Sequence, residues 1–385
     1  MHKYIWGFIF VFLIVVVDNS AQDAPTLADF WEGRAQWLLD IENVGLPVGE
    51  SDTIDLGNGR LRSYVHASYQ SVGMFDQCGE PVAFPGCLTH YESTDGGMSF
   101  VQSVRICDIP CDSCPCQDQL DHHGYRPDGS RDAAQQYPRV AVADNGKFYM
   151  VYEWHAQTII RQSADGLNWS DWSYLLLPGG TWPYEFHPCS TVEYVGEHPF
   201  LSVRSYDCLV GAPPGIYVEG DMLFVFVAAG ESPGHMRCYK GNRHGDLSKL
   251  QLCENDPLFS SVVEYGPLES SGVDANPYFD FRYVSSADVM RVDGHYYMAF
   301  EGIRGPEEGS GGDSQFALGF ARSVTSEIDG TWEKYENNPV IGDVGFHYGI
   351  GHADLIVLDG VTYLYTATST ENETRGRFML VWVEG

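Results

Sequence analysis

The sequence predicts an all-β fold, a five-bladed β-propeller preceded by a short N-terminal helix. Three observations predict it. Residues 286–302 read SADVMRVDGHYYMAFEG and residues 352–367 read HADLIVLDGVTYLYTA, with looser copies at 137–154 (YPRVAVADNGKFYMVYEW) and 213–230 (PPGIYVEGDMLFVFVAAG). Each copy is an apolar strand, a tight Asp-Gly-like turn and an aromatic strand, which is a β-hairpin signature. The phrase returns every roughly 65–80 residues, the spacing of small sheets arrayed around one axis. Outer strands recur as well, in CLTHYESTDGGMSFV (87–101), TIIRQSADGLNWSDW (158–172) and FALGFARSVTSEIDGTWEKY (316–335). In such turns an Asp bonds backbone amides while the aromatic packs between sheets.

Taken in order, the chain opens with Lys3 and an apolar run from Ile5 to Val17, followed by the small residues Ser20 and Ala21. This reads as a secretory leader over 1–21, too short to span a bilayer, with an uncleaved anchor as the alternative. Residues 26–43 (TLADFWEGRAQWLLDIEN) read as one amphipathic helix capped by Thr26, with Asp29 three residues on. Residues 22–59 thus form a helix and closing segment, and 60–385 the propeller. Inner hairpins are expected to begin near 61, 137, 215, 286 and 352. The stretch 107–136 is a long insertion over one face. The last blade shows only three strands, 352–358, 361–367 and 377–383, so the N-terminal segment is expected to supply the fourth.

Ten cysteines suit an exported, oxidised chain. Cys78–Cys87, Cys189–Cys208 and Cys238–Cys253 are the natural local pairs. Cys107, Cys111, Cys114 and Cys116 form two further bridges or a thiolate metal site. Asn168-Trp169-Ser170 and Asn372-Glu373-Thr374 are glycosylation sequons. The net charge of −31 argues against nucleic acid or an anionic membrane as partner. Acidic loops of this kind suit solubility or a cation such as Ca²⁺. No phosphate-cradling loop, GxSxG elbow or HExxH helix is present.

Aligning the repeats on their turns places Asp288 and Asp354 five residues before Asp293 and Asp359, at the starts of inner strands. A propeller brings such positions together around its axis. Two close carboxylates can work as acid and base on a glycosidic bond, one of them keeping its proton near neutral pH. The alternative is that both Asp cap strand starts by bonding amides. Glu301 is a third candidate carboxylate, or else an ion-pair partner of Arg304. Arg139 stands at the equivalent place in the second repeat, where it would bind a sugar hydroxyl or a uronate. His352 and His347 approach from the last repeat, and Trp154 and His155 close the second hairpin. The segment 264–283 brings Asp280 and Arg282, with Asp280 a rival for the acid.

DGHYYMAFEG, FALGFARS and GTWEKYENNPVI together resemble the five-bladed propeller glycoside hydrolases of family 43 and its relatives in families 32, 62 and 130. GIGHADLIVLDGVTYLY (349–365) is similar to the fifth-blade phrase of family 43, with His352 ahead of the strand. The resemblance covers roughly 60–383 and implies a glycosidase acting on an oligo- or polysaccharide. It implies a base Asp on the first blade, a tuning Asp on the second and an acid Glu on the third. The comparable strand starts read here as His66, Arg139 and Pro214, so those roles do not carry over, and only His352 transfers. The expectation is a secreted glycosidase built on Asp288, Asp354 and Glu301. The alternatives are a non-catalytic glycan- or protein-binding propeller, and a sialidase-like enzyme using Arg139, Arg282 and Arg304.

Overall fold

The computed structural model describes residues 23–47, 50–66, 88–106, 136–154, 157–170, 173–174, 210–229, 234–247, 250–261, 279–280, 283–306, 314–341, 353–369 and 374–383. Five antiparallel sheets stand around one axis. Their innermost strands adjoin in a closed cycle.

Helix α1 (Leu27–Trp31) starts at a complete capping box, with Thr26 N–H donating to Asp29 at 2.8 Å. It is much shorter than the helix over 26–43 that the sequence suggested. Gly33 takes the left-handed conformation (φ 74°) just after the cap residue Glu32 and ends it. The chain then extends as β1 (Ala35–Ile41). Leu27 and Phe30 still pack as an apolar face, and the Phe30 ring meets those of Trp37 and Phe320 at a tilt, with centroids 6.1 and 5.3 Å away.

Blade 1 is β2 (Ser51–Gly57), β3 (Arg60–His66), β4 (Leu88–Ser93) and β5 (Val101–Ile106). Its inner strand is β2, not the segment near 61. The hairpin turn is Asn58-Gly59, both at positive φ, the backbone that Asn-Gly supplies at least cost. The Ser51-Asp52-Thr53 run is polar, yet all three side chains are buried. Blade 2 is β6 (Gln136–Val142), β7 (Phe148–Trp154), β8 (Gln157–Ser163) and β9 (Ser173–Tyr174). Blade 3 is β10 (Val210–Glu219), β11 (Met222–Ala229), β12 (His235–Asn242) and β13 (Gln251–Leu252), with β14 (Phe259–Ser260) also on β12. Blade 4 is β15 (Tyr283–Val292), β16 (His295–Pro306), β17 (Ser314–Ser323) and β18 (Trp332–Lys334). Blade 5 is β19 (Asp354–Leu358), β20 (Val361–Ser369) and β21 (Thr374–Trp382), and β1 pairs with β21 as its outermost strand. The N-terminal strand therefore closes the ring.

The blades pack through apolar clusters between neighbouring sheets, such as Phe226, Met236, Met298 and Phe300 between blades 3 and 4. Two outer turns tie blades together by polar contacts. Asp95 accepts from the amides of Met98 and Ser99 at 3.1 and 3.0 Å, and Asp165 from those of Leu167 and Asn168 at 2.8 Å each. Each turn then receives a tyrosine from the blade before it. Tyr365 Oη of blade 5 donates to the Gly97 carbonyl at 3.1 Å, and Tyr64 Oη of blade 1 to that of Gly166 at 2.8 Å. A Cβ on Gly166 (φ 70°) would sit 2.4 Å from Tyr64 Oη, so the latch requires glycine there.

Cys238 and Cys253 are bridged. Cys78, Cys87, Cys107, Cys111, Cys114, Cys116, Cys189 and Cys208 lie outside the described residues, as does the segment 1–21 expected to be a leader. No helix among the described residues is long and apolar enough to cross a membrane.

Candidate active site

The inner strands present one ring of five equivalent positions to the axis: Asp52, Arg139, Gly215, Asp288 and Asp354. Register fixes the equivalence. Glu219 pairs with Met222 just as Val292 pairs with His295 and Leu358 with Val361. Counting back from these pairs makes Gly215, and not Pro214, the equivalent of Asp288. Blade 3 contributes no side chain because blade 4 passes too close: a Cβ on Gly215 would lie 2.5 Å from the Ala287 carbonyl oxygen. The blade 1 member is Asp52, where the sequence reading had His66.

The aspartates follow a common rule. Each accepts the amide of the residue just after the ring position on the next blade. Asp354 accepts Thr53 N–H at 2.9 Å, Asp52 accepts Val140 N–H, and Asp288 accepts Leu355 N–H at 2.5 Å. Asp354 also takes the Thr53 and Ser51 hydroxyls at 2.7 and 2.9 Å. Arg139 Nη1 donates to the Ser51 carbonyl at 3.0 Å and approaches Asp52 at 3.4 Å, while Nη2 donates to Ser286 Oγ at 2.9 Å. The ring is therefore a set of inter-blade clasps as well as a concentration of charge. Bulges precede it in β6 and β15, where Tyr137 and Ser286 take left-handed backbone with φ 53° and 49°. A bulge beside an inner strand re-aims the side chains that follow, here Arg139 and Asp288.

A second tier lies toward the strand starts. Glu301 on β16 is opposite Ser285 and accepts its hydroxyl at 2.9 Å. Arg375 on β21 is fully buried and donates Nη2 to the Tyr365 carbonyl at 3.1 Å. Burial lowers its pKa to about 10, against the pull of Asp354, Glu50 and Glu301, so it remains a cation at neutral pH.

Burial separates the carboxylates. Asp354 and Glu301 are 0% exposed and Asp52 6%, whereas Asp288 keeps partial contact with solvent. Desolvation pushes the Asp288 carboxyl up to about 6; Arg139 opposes this and Asp354 adds to it. Asp52 is raised well above the usual carboxylate range by the same desolvation and by Asp288. Desolvation and a neighbouring carboxylate both disfavour the charged forms of Asp288 and Asp52.

One oxygen from each of Asp52, Asp288 and Asp354 lies within 4.8 Å of the others, the tightest acidic grouping among the described residues. Each of these carboxylates also accepts an amide of the next blade, and the Arg139 guanidinium stands against Asp52.

Of the residues the sequence singled out, Asp288, Asp354, Arg139 and Glu301 gather here. Asp280 does not: it is buried on the outer side of blade 4, ion-paired with Lys334 of β18 at 2.6 Å. His347, His352, His155 and Arg282 lie outside the described residues, as do the side chains of Trp154 and Arg304. Asp52, Glu50 and Arg375 went unread. An Asn-Gly turn six residues after Asp52 was the available signal for the first; nothing local marks Arg375.

No family model matches the chain, and no curated protein matches it in sequence. Solved structures match in fold. A glycoside hydrolase superposes with a TM-score of 0.50 at 12% identity, covering 93% of this chain and 95% of its own. An endo-arabinase from Bacteroides thetaiotaomicron gives 0.49 at 12% identity, covering 90% and 98%. The catalytic domain of a Coprinopsis cinerea GH62 α-L-arabinofuranosidase gives 0.47 at 13%, covering 91% and 98%. At these identities the likeness lies in the architecture, a five-bladed propeller.

Proposed function

We propose that this protein hydrolyses a glycosidic bond of a carbohydrate in the funnel at the propeller axis, with Asp288 giving its proton to the leaving oxygen. The observation that carries this reading is the place of Asp288. It is the ring aspartate that solvent reaches, set against two buried carboxylates and Arg139. A carboxyl held near 6 by burial and by Asp354 has the property a general acid needs at neutral pH. Asp354 and Asp52 would then tune Asp288 rather than touch the sugar. Export is part of the reading, supported by the leader-like start and the Cys238–Cys253 bridge.

A second reading is a glycan-binding propeller without catalysis. What favours it is that all three ring aspartates bond the next blade's amide. A panel of aryl glycosides (arabinofuranoside, xyloside, galactoside, fucoside and sialoside) separates the two. The wild type should cleave one of them, and Asp288→Asn should lose about 10²–10⁴-fold in kcat with the fold intact. A variant as active as wild type would remove Asp288 from the mechanism. A wild type inert on every sugar, yet retained on a glycan array, would establish the binding reading.

A further inference from the structure

We propose that Arg139 is the positioning residue of the general acid, its guanidinium pinning the bulge of blade 4 that aims Asp288 instead of touching the sugar; this rests on the glycosidase reading above. The inference begins from reach. Blade 3 stands between blades 2 and 4 around the axis. Arg139 of blade 2 nevertheless bonds blade 4 directly, Nη2 donating to Ser286 Oγ at 2.9 Å. The way is open because blade 3 brings only Gly215 to the ring, packed so closely on blade 4 that a Cβ there would fall 2.8 Å from the Ala287 Cβ. The other arm, Nη1, donates to the Ser51 carbonyl at 3.0 Å and stands 3.4 Å from Asp52 Oδ1. One side chain thus spans from blade 1 to blade 4.

What it holds is the backbone just ahead of Asp288. Ser286 has left-handed backbone, φ 49°, and the irregularity of β15 lies between Ser285 and Asp288. A serine keeps such backbone only where its surroundings fix it. The bulge in turn sets where the Asp288 carboxylate points. Ser286 is 2% exposed and Arg139 3%, so the bond between them is dry. A charged donor makes a stronger hydrogen bond than a neutral one, and more so away from water. The same burial takes Arg139 out of reach of a sugar, the role that the sequence suggested for it.

Charge adds a second effect. The ring groups facing Asp288 are Asp52 from blade 1, Arg139 from blade 2 and Asp354 from blade 5, while blade 3 offers a glycine. Glu301 stands on the neighbouring strand of blade 4, and Arg375 of blade 5 is drawn most by Asp354. Burial works against the charge of Arg139, but the carboxylates, Asp288 foremost, outweigh it and keep the guanidinium a cation. In return Arg139 opposes the desolvation that pushes the Asp288 carboxyl up. Without that cation the acid should hold its proton to higher pH.

The test follows the aryl glycoside that the wild type cleaves best over pH 4–9 in Arg139→Met, Arg139→Lys, Ser286→Ala and Asp288→Asn, with melting temperatures recorded. In Arg139→Met the basic limb of kcat/KM, which reports the acid of the free enzyme, should move up by about 1 pH unit or more. Arg139→Lys keeps the charge and should leave that limb in place. Its kcat should fall about 10²-fold, because one ammonium cannot bridge two blades as the fork does. Ser286→Ala keeps Arg139 and should lower kcat with KM and the limb unchanged, and it decides the matter if Arg139→Met does not fold. An unmoved limb in folded Arg139→Met, wild-type kcat in Ser286→Ala, or a raised KM at unchanged kcat in Arg139→Lys would each overturn the positioning role. Any of these beside an inactive Asp288→Asn would leave the glycosidase reading standing. A wild type inert across the whole panel would overturn both.

Discussion

The aspartates of the outer turns and those of the axial ring make the same bond and acquire opposite properties. Asp95 and Asp165 each gather two backbone amides at the solvent edge, and their pKa values fall, that of Asp95 to about 2. Asp52 and Asp288 also accept amides, but in a dry ring shared with Asp354, and their pKa values rise. Hydrogen bonds to the charged form favour ionisation in both places. At the axis, desolvation and like charge overwhelm them. A latch at the rim therefore keeps its charge, while a clasp at the axis can hold a proton for chemistry.

The comparison can be broken most severely at Arg139. Its guanidinium is the ring's own cation, 3% exposed and facing Asp52 at 3.4 Å. Arg139→Met should cost about 3–5 kcal/mol, the range for stranding buried charge. The loss should be larger at pH 7 than at pH 5, because the carboxyls left behind can take up protons. Chemical denaturation at both pH values measures it, and equal losses would mean that the ring carries little net charge.

The rim should respond less. Gly166→Ala forces a side chain into left-handed backbone and against Tyr64 Oη, which should cost about 1–3 kcal/mol. Tyr64→Phe removes the one bond to the Gly166 carbonyl and should cost about 1 kcal/mol. Neither should alter the pH dependence of activity. A shifted profile in Tyr64→Phe would couple rim to axis and spoil the distinction.

The smallest effect is the most specific. The Asp288 carboxyl is raised in the folded state, so it favours folding below the unfolded carboxylate range, and that contribution is lost as pH rises through about 6. Asp95 and Asp165 are lowered, so their contribution is present above that range and lost as pH falls toward about 2. Melting temperature should therefore rise slightly from pH 7 to 5 and fall below about pH 4. Asp288→Asn should flatten the first change and leave the second. Loss of the acid-side fall in that variant would reverse the assignment.

Much of this was legible locally. Asp-Gly and Asn-Gly turns between apolar strands marked the hairpins, and turn alignment brought out Asp288 and Asp354. The helix over 26–43 was overextended because apolar spacing continues through Trp37, while Gly33 had already broken the backbone. Asp52 and Arg375 stayed hidden for a different reason. The polar Ser51-Asp52-Thr53 run finds its hydrogen-bond partner, Asp354, some 300 residues away, so nothing local shows that it is buried. Arg375 sits on the third strand of blade 5 in a stretch, Thr374-Arg375-Gly376-Arg377, that reads as solvated surface. Ring closure, not local pattern, buries it.

The most direct test of an axial proton donor is leaving-group dependence. Dinitrophenyl and methoxyphenyl glycosides of the preferred sugar would be compared in wild type and Asp288→Asn. Dinitrophenolate leaves without a proton and methoxyphenolate does not. The account predicts near-normal cleavage of the first and a loss of about 10²–10⁴-fold on the second in the variant. Equal losses on both substrates, or none on either, would contradict it.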